Sequence, residues 1–253
     1  MKRLVRGALR AIGFDLVRYP EPPRPAKLPA DVTLEDRAII EAVAGYTMTS
    51  VERQMALIQA IRFVVKQRIA GCYVECGVWR GGSSMAAALT LAQEGDTTRD
   101  LYLYDTFEGM TPPTAADRTP DGTLAQVHLD NDPNRTGVNW CVAGIEDVQR
   151  NMASTGYPSE RIHLVRGPVE ATIPSQAPEQ PIALLRLDTD WYESTKHELI
   201  HLFPRLQPGG ILIIDDFGHW EGAKKAVVEY FDQLEQKFYL HRVDYTGRLL
   251  IKK

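Results

Sequence analysis

The sequence predicts an α/β fold built on a mostly parallel sheet, on the strength of three observations. After Gly71, short apolar runs alternate with helical stretches, the pattern of a parallel sheet covered by helices on both faces. Several runs end in glycine or aspartate, at the edge where open α/β sheets bind ligands. The chain has 253 residues, 44% hydrophobic and 25% charged. A globular chain of that size hides roughly 70–75% of its unfolded surface and needs no disulfide or metal staple.

Residues 1–19 carry Lys2, Arg3, Arg6, Arg10 and Arg18 against the single acid Asp15, with Leu4, Ala8, Leu9, Ile12 and Leu16 at helical spacing. This predicts a basic amphipathic helix. Arg6 and Arg10 interrupt any signal-peptide core. The helix is expected to dock on its own or a sister subunit, giving a homodimer or higher oligomer; a membrane-surface contact is the alternative. Prolines between Pro20 and Pro29 predict a stiff linker. Residues 1–32 therefore read as helix and linker, and 33–253 as the main domain.

From Thr33 the pattern turns helical, and residues 33–70 read as a helical cap. Within it Thr49-Ser50-Val51-Glu52 reads as a capping box led by Thr49. Strands are expected at 72–75, 101–104, 162–165, 182–187 and 211–214, and helices at 83–91, 145–152, 193–203 and 224–236. Residues 238–243 and 249–252, around Tyr245-Thr246-Gly247, predict a terminal hairpin. The stretch 109–140, rich in Pro, Asp, Asn and Thr, reads as a long lid loop that selects a substrate.

Net charge is −4, without the basic excess of a nucleic-acid binder. No apolar run reaches the ~18 residues of a membrane span, so stable membrane insertion is not expected. Cys72, Cys76 and Cys141 are odd in number and lack CxxC spacing, which argues against a disulfide framework or a structural zinc and for a cytoplasmic protein.

The first strand runs into Glu75-Cys76-Gly77-Val78-Trp79-Arg80-Gly81-Gly82-Ser83. Glycines at a strand–helix turn let a ligand approach the backbone. There is no GxxxxGK[ST], and Trp79 stands where a dinucleotide fingerprint needs glycine, which counts against a nicotinamide or flavin oxidoreductase. Glu75 suits a ligand bearing a cation, and Asp105, closing the second strand, suits a ribose diol. Two acids without a basic cradle fit S-adenosylmethionine (SAM). The bland alternative is a tight turn with no ligand.

Asp188-Thr189-Asp190 and Asp215-Asp216 each close an apolar run, and a helical stretch joins them. A right-handed crossover would make the two strands neighbours, ~4.8 Å apart, so these acids should meet. Two unit charges about 4 Å apart repel by about 4 kcal/mol at an effective dielectric of 20. Strand alternation is expected to send Arg186 to the other face, so a hard divalent cation, Mg²⁺, is expected to remove the repulsion. Otherwise Asp190 and Asp216 serve as helix N-caps. His197 and His201 read as a surface pair, and His219 and Trp220 as candidates for the acceptor pocket.

The segments ECGVWRGGSS (75–84), YDTFEG (104–109), RLDTDWYEST (186–195) and IDDFGHWEGAKKAV (214–227) resemble the macrocin and mycinamicin sugar O-methyltransferases, a group that includes the novobiocin sugar O-methyltransferase. The resemblance runs from about Thr33 to the C-terminus. It implies a Rossmann-like class I SAM-dependent methyltransferase with a seven-stranded, mostly parallel sheet, a C-terminal antiparallel hairpin and an added N-terminal helical region. It implies Mg²⁺ dependence and a small-molecule glycoside acceptor; a catechol-like phenol is the alternative acceptor. By position it makes Asp188, Asp215 and Asp216 the metal ligands and Asp190 the general base. Glu75, Gly77, Gly81, Ser83, Asp105, Thr106 and Gly167 would contact SAM, with Tyr46, Thr47 and Met48 closing over it.

Overall fold

Five strands run parallel: β1 (Cys72–Cys76), β2 (Leu101–Asp105), β3 (Ile162–Arg166), β4 (Ile182–Leu187) and β5 (Leu206–Ile214). Beyond them β6 (His241–Arg242) and β7 (Arg248–Ile251) form the antiparallel hairpin, and the sheet order is β3-β2-β1-β4-β5-β7-β6. This computed structural model describes residues 28–135 and 138–253. The basic helix expected over 1–19 and most of the proline linker lie outside the described residues. Thr33–Lys253 forms one compact unit, and no helix among the described residues is long and apolar enough to cross a membrane.

The alternation of runs gives this sheet because β1 and β4 are buried along their whole length, as central parallel strands covered on both faces must be. Two charged residues break that rule. Glu75 and Arg186 are register partners across β1 and β4 and form an ion pair inside the core.

The helices are α1 (Leu34–Val43), α2 (Val51–Lys66), α3 (Gly82–Gln93), α4 (Ala125–Asp130), α5 (Ile145–Ala153), α6 (Val169–Thr172), α7 (Tyr192–His201) and α8 (Glu221–Asp232). α2 packs on α3, and α7 on α8. On the α7–α8 side, Phe203 meets Phe231 and Phe238 edge-to-face at 5.1 and 5.5 Å, sealing a core with Leu185, Leu187, Leu212 and Ile214. Burying each such side chain contributes roughly 1.5–3 kcal/mol.

Local chemistry moves some boundaries. Ser50, not Thr49, caps α2: its hydroxyl accepts from Arg53 N at 3.1 Å, while Thr49 pairs with Thr47 Oγ1 at 2.8 Å. β6 is only His241–Arg242, shorter than expected. The 109–140 stretch is more than a loop. It contains α4, a one-turn helix at Val138–Trp140 and an antiparallel bridge between Arg118 and Leu124. Its ends meet where Met110 N donates to Trp140 O at 2.9 Å.

Candidate active site

The parallel strands aim their carboxyl ends at one cavity of about 340 Å³, within the range of small-molecule sites. Gly77 stands at φ +82, and a Cβ there would overlap the Asp188 carbonyl oxygen. Only glycine lets the β1 and β4 ends close this far. Gly77→Ala should therefore lower the thermal midpoint by roughly 4–12 °C, the shift of ~2–3 kcal/mol in a chain this size; a scanning-calorimetry midpoint equal to that of the parent would show the loop can re-route.

Of the expected SAM contacts, Tyr46, Thr47, Met48, Glu75, Gly77, Ser83, Asp105, Thr106 and Gly167 line the cavity, whereas Gly81 does not. Gly81 adopts φ +90 ahead of α3, and Gly82 replaces it in the wall. Gly82 N donates to Tyr46 O at 3.0 Å, and a Cβ on Gly82 would strike Tyr46 and Thr47. Arg80 ties the same segment from above, donating to Gly45 O at 2.9 Å and lying 5.0 Å over the Tyr46 ring. Asp105 accepts from the Val78, Trp79 and Phe107 N–H groups at 2.7, 3.0 and 2.7 Å. It thus pins the glycine loop and keeps lone pairs for a ligand hydroxyl. Glu75 accepts from Tyr73, Ser84 and Arg186, so it ties the core together as well as lining the cavity.

The acid cluster holds two arginines that the sequence reading left out. Residues 186 and 188 are two apart on a strand and share a face, correcting the expectation for Arg186. Its guanidinium donates to Glu75 at 2.6 Å, Asp188 at 2.7 Å and Asp215 at 2.7 Å. Arg53 of α2 pairs with Asp215 and with Asp244 at 3.1 Å. The β6–β7 turn joins the site here: Ser50 Oγ donates to Asp244 at 2.8 Å, and Thr246 Oγ1 to the Asp215 carbonyl at 2.7 Å.

Six carboxylates, Glu75, Asp188, Asp190, Asp215, Asp216 and Asp244, outnumber these two guanidiniums. Burial, with repulsion between the acids, pushes Asp188 and Asp216 well above the usual carboxylate range. Asp188, Asp215 and Asp216 each offer an oxygen within 4.8 Å of the others. Hard oxygen donors whose ionisation is held back for want of a counter-charge suit a divalent cation of the Mg²⁺ type.

Neither Asp190 nor Asp216 is a helix cap. α7 and α8 have Trp191 and Trp220 at their N-caps without side-chain bonds. Asp190 sits at φ +65, and Trp191 N donates across it to Thr189 O at 2.7 Å. A hydrogen bond from i+2 to i around a positive φ is a left-handed γ-turn, a strained form. Asp190 N donates to Asp216 Oδ2 at 3.2 Å. Burial and the charge of Asp188 raise the Asp190 carboxyl to about 7.

A family model described as Macrocin-O-methyltransferase (TylF) matches residues 29–252. The chain belongs to this macrocin O-methyltransferase family. It is an O-methyltransferase. It is 34% identical over 203 residues to the 8-demethyl-8-(2,3-dimethoxy-alpha-L-rhamnosyl)-tetracenomycin-C 4'-O-methyltransferase of Streptomyces olivaceus, covering 80% of this chain and 74% of that one. The Mycinamicin III 3''-O-methyltransferase of Micromonospora griseorubida is 30% identical over 189 residues, 75% of this chain and 71% of that one. The solved structure of the O-methyltransferase NovP superposes with a TM-score of 0.74 at 25% identity, covering 88% of this chain and 99% of that chain. The seven-stranded sheet is thus the class I methyltransferase sheet.

In the methyltransferase the far cavity wall is aromatic. Trp191 and Trp220 meet edge-to-face at 5.0 Å, with His219 4.8 Å and His128 6.1 Å from Trp220. Trp191 also packs with Ala125, Leu129, Met110 and Trp140 of the 109–140 segment, and its Nε1 donates to Thr111 O at 2.9 Å. Asp117, fully buried, accepts from Tyr192 N at 2.8 Å, so this segment supplies the side-chain cap that Trp191 does not give α7. His197 Nε2–H donates to Ile173 O at 2.8 Å, and its ring lies tilted against His201 with centroids 4.4 Å apart, away from the cavity lining.

Proposed function

We propose that this enzyme transfers a methyl group from SAM to a sugar hydroxyl of a glycosylated natural product, with a divalent cation held by Asp188, Asp215 and Asp216 and Asp190 as general base. The observation that carries the reading is that the three-carboxylate cluster, a fourth acid on a strained turn and the glycine loop open into the same cavity. The matched relatives support it: one is named as the 4'-O-methyltransferase of a rhamnosyl tetracenomycin and another as the 3''-O-methyltransferase of mycinamicin III.

SAM supplies an already activated methyl, so most of the catalysis is alignment of donor and acceptor. The cation, when bound, supplies a Lewis acid that lowers the pKa of an adjacent acceptor hydroxyl. The chain does the rest. The glycine loop, Asp105, Thr106 and Gly167 would hold the donor, with Tyr46–Met48 over it. Asp190 would take the hydroxyl proton on its carboxylate. Trp191, Trp220 and the 109–140 segment, acting as a lid, would orient the glycoside and exclude water. Buried thiols at Cys72 and Cys76, the former raised to about 12 by burial, accord with a reducing cytoplasm.

Calorimetric titration of SAM with and without Mg²⁺, followed by a methyl-transfer screen over glycosides and catechols, tests the reading. SAM binding and Mg²⁺-dependent turnover of a glycoside are expected. Turnover of catechols alone would replace the sugar assignment, and turnover unaffected by EDTA would remove the cation.

A further inference from the structure

Glu198 of α7 is a buried acid that the chemistry above leaves unused. It is 0% exposed, and Thr189 Oγ1 donates to its Oε1 at 3.0 Å. Its Oε2 is sealed from solvent with no hydrogen-bond partner among the described residues, and the Cys76 thiol, a weak donor, adjoins the carboxyl. The acids Glu170, Asp216 and Asp188 lie close enough to repel it. An orphaned oxygen in a core weakens folding, so an apolar residue would serve stability better here.

What Glu198 holds is Thr189, the residue whose carbonyl closes the γ-turn around Asp190. Strained backbone persists only where its surroundings over-determine it. On the far side of the turn, Trp191 is 3% exposed and bonded to Thr111 O at 2.9 Å. On the near side, Asp188 N is held by Cys76 O at 2.8 Å. Between these fixed points, Thr189 has the Glu198 bond as its side-chain tether. We propose that Glu198 is a positioning residue, which through Thr189 clamps the strained turn that presents Asp190 to the acceptor. The inference rests on Asp190 being the base. It makes Glu198 an acid kept for geometry against the interest of stability.

The test compares Glu198→Met, Glu198→Gln, Thr189→Val and the Met/Val double variant, using the best glycoside from the screen. Glu198→Met and Thr189→Val are each expected to lower kcat on the order of ten- to hundredfold, as misplacement of a catalytic group does. Acceptor KM and calorimetric affinities for SAM and Mg²⁺ stay at the parent values, because Asp188 is held independently. The double variant loses no more than either single one, and Glu198→Gln, whose amide oxygen still accepts from Thr189, restores kcat. The metal-free Glu198→Met protein melts at the parent temperature or about 2–4 °C above it. Full kcat in Thr189→Val, multiplicative losses in the double variant, or an Mg²⁺ affinity that falls along with kcat would each overturn the clamp. If Glu198→Met does not fold, Thr189→Val, which keeps the side-chain volume, decides alone. An Asp190→Asn control separates the two levels: full activity there removes the base, whereas a crippled Asp190→Asn beside a fully active Thr189→Val removes only the clamp.

Discussion

Asp190→Asn is expected to lower kcat by about 10²–10⁴-fold, the usual contribution of a positioned general base, while SAM and Mg²⁺ affinities stay unchanged. Asparagine is the right replacement because it tolerates the φ of +65 found there, which alanine would adopt only under strain. The backbone bond from residue 190 to Asp216 Oδ2, at 3.2 Å, is independent of the side chain and should survive. Loss of turnover with intact binding therefore reports the missing proton acceptor, not a collapsed loop. Single-turnover methyl transfer, with both affinities measured by calorimetry on the same sample, checks this. Undiminished single turnover would take Asp190 out of the mechanism.

Arg186→Met should have the largest effect on stability. The guanidinium is 2% exposed and answers Glu75, Asp188 and Asp215 together. Removing it leaves buried Glu75 and half-buried Asp188 without a charged partner and Asp215 with Arg53 alone, and breaking buried pairs in this way costs about 3–5 kcal/mol. In a chain of this length that lowers the thermal midpoint by roughly 6–20 °C. The acids left behind attract a cation more strongly, and a ligand that favours the native state stabilises it by mass action. Millimolar Mg²⁺ should therefore raise the midpoint of the variant more than that of the parent. Thermal scans of both proteins with and without Mg²⁺ give the four midpoints required, and equal Mg²⁺ shifts would show that Arg186 and the cation do not share ligands.

The sheet was legible because its signals are local. Apolar runs closed by Gly77, Asp105, Asp188 and Asp215 mark strand ends, and the strand–helix–strand rule brings the acids together without knowledge of anything distant. Arg186 was legible too, since a period of two puts it on the face of Asp188. Arg53 was not. It lies 162 positions from Asp215, on a helix whose pattern announces only an apolar face. Asp117 is similar: one aspartate in a polar stretch, its role fixed only when the fold brings Tyr192 N to it. The strain at Asp190 was equally hidden, because a γ-turn has no residue signature beyond tolerance of positive φ.

The 109–140 segment meets itself where Met110 N reaches Trp140 O at 2.9 Å, so the sheet carries it without being threaded through it. Lengthening or shortening the chain between those residues pulls on no strand, and closure entropy grows only slowly with loop length. So long as Asp117 still reaches Tyr192 and Thr111 still holds Trp191, the segment proposed to choose the acceptor can change in length without moving the strands proposed to carry methyl transfer.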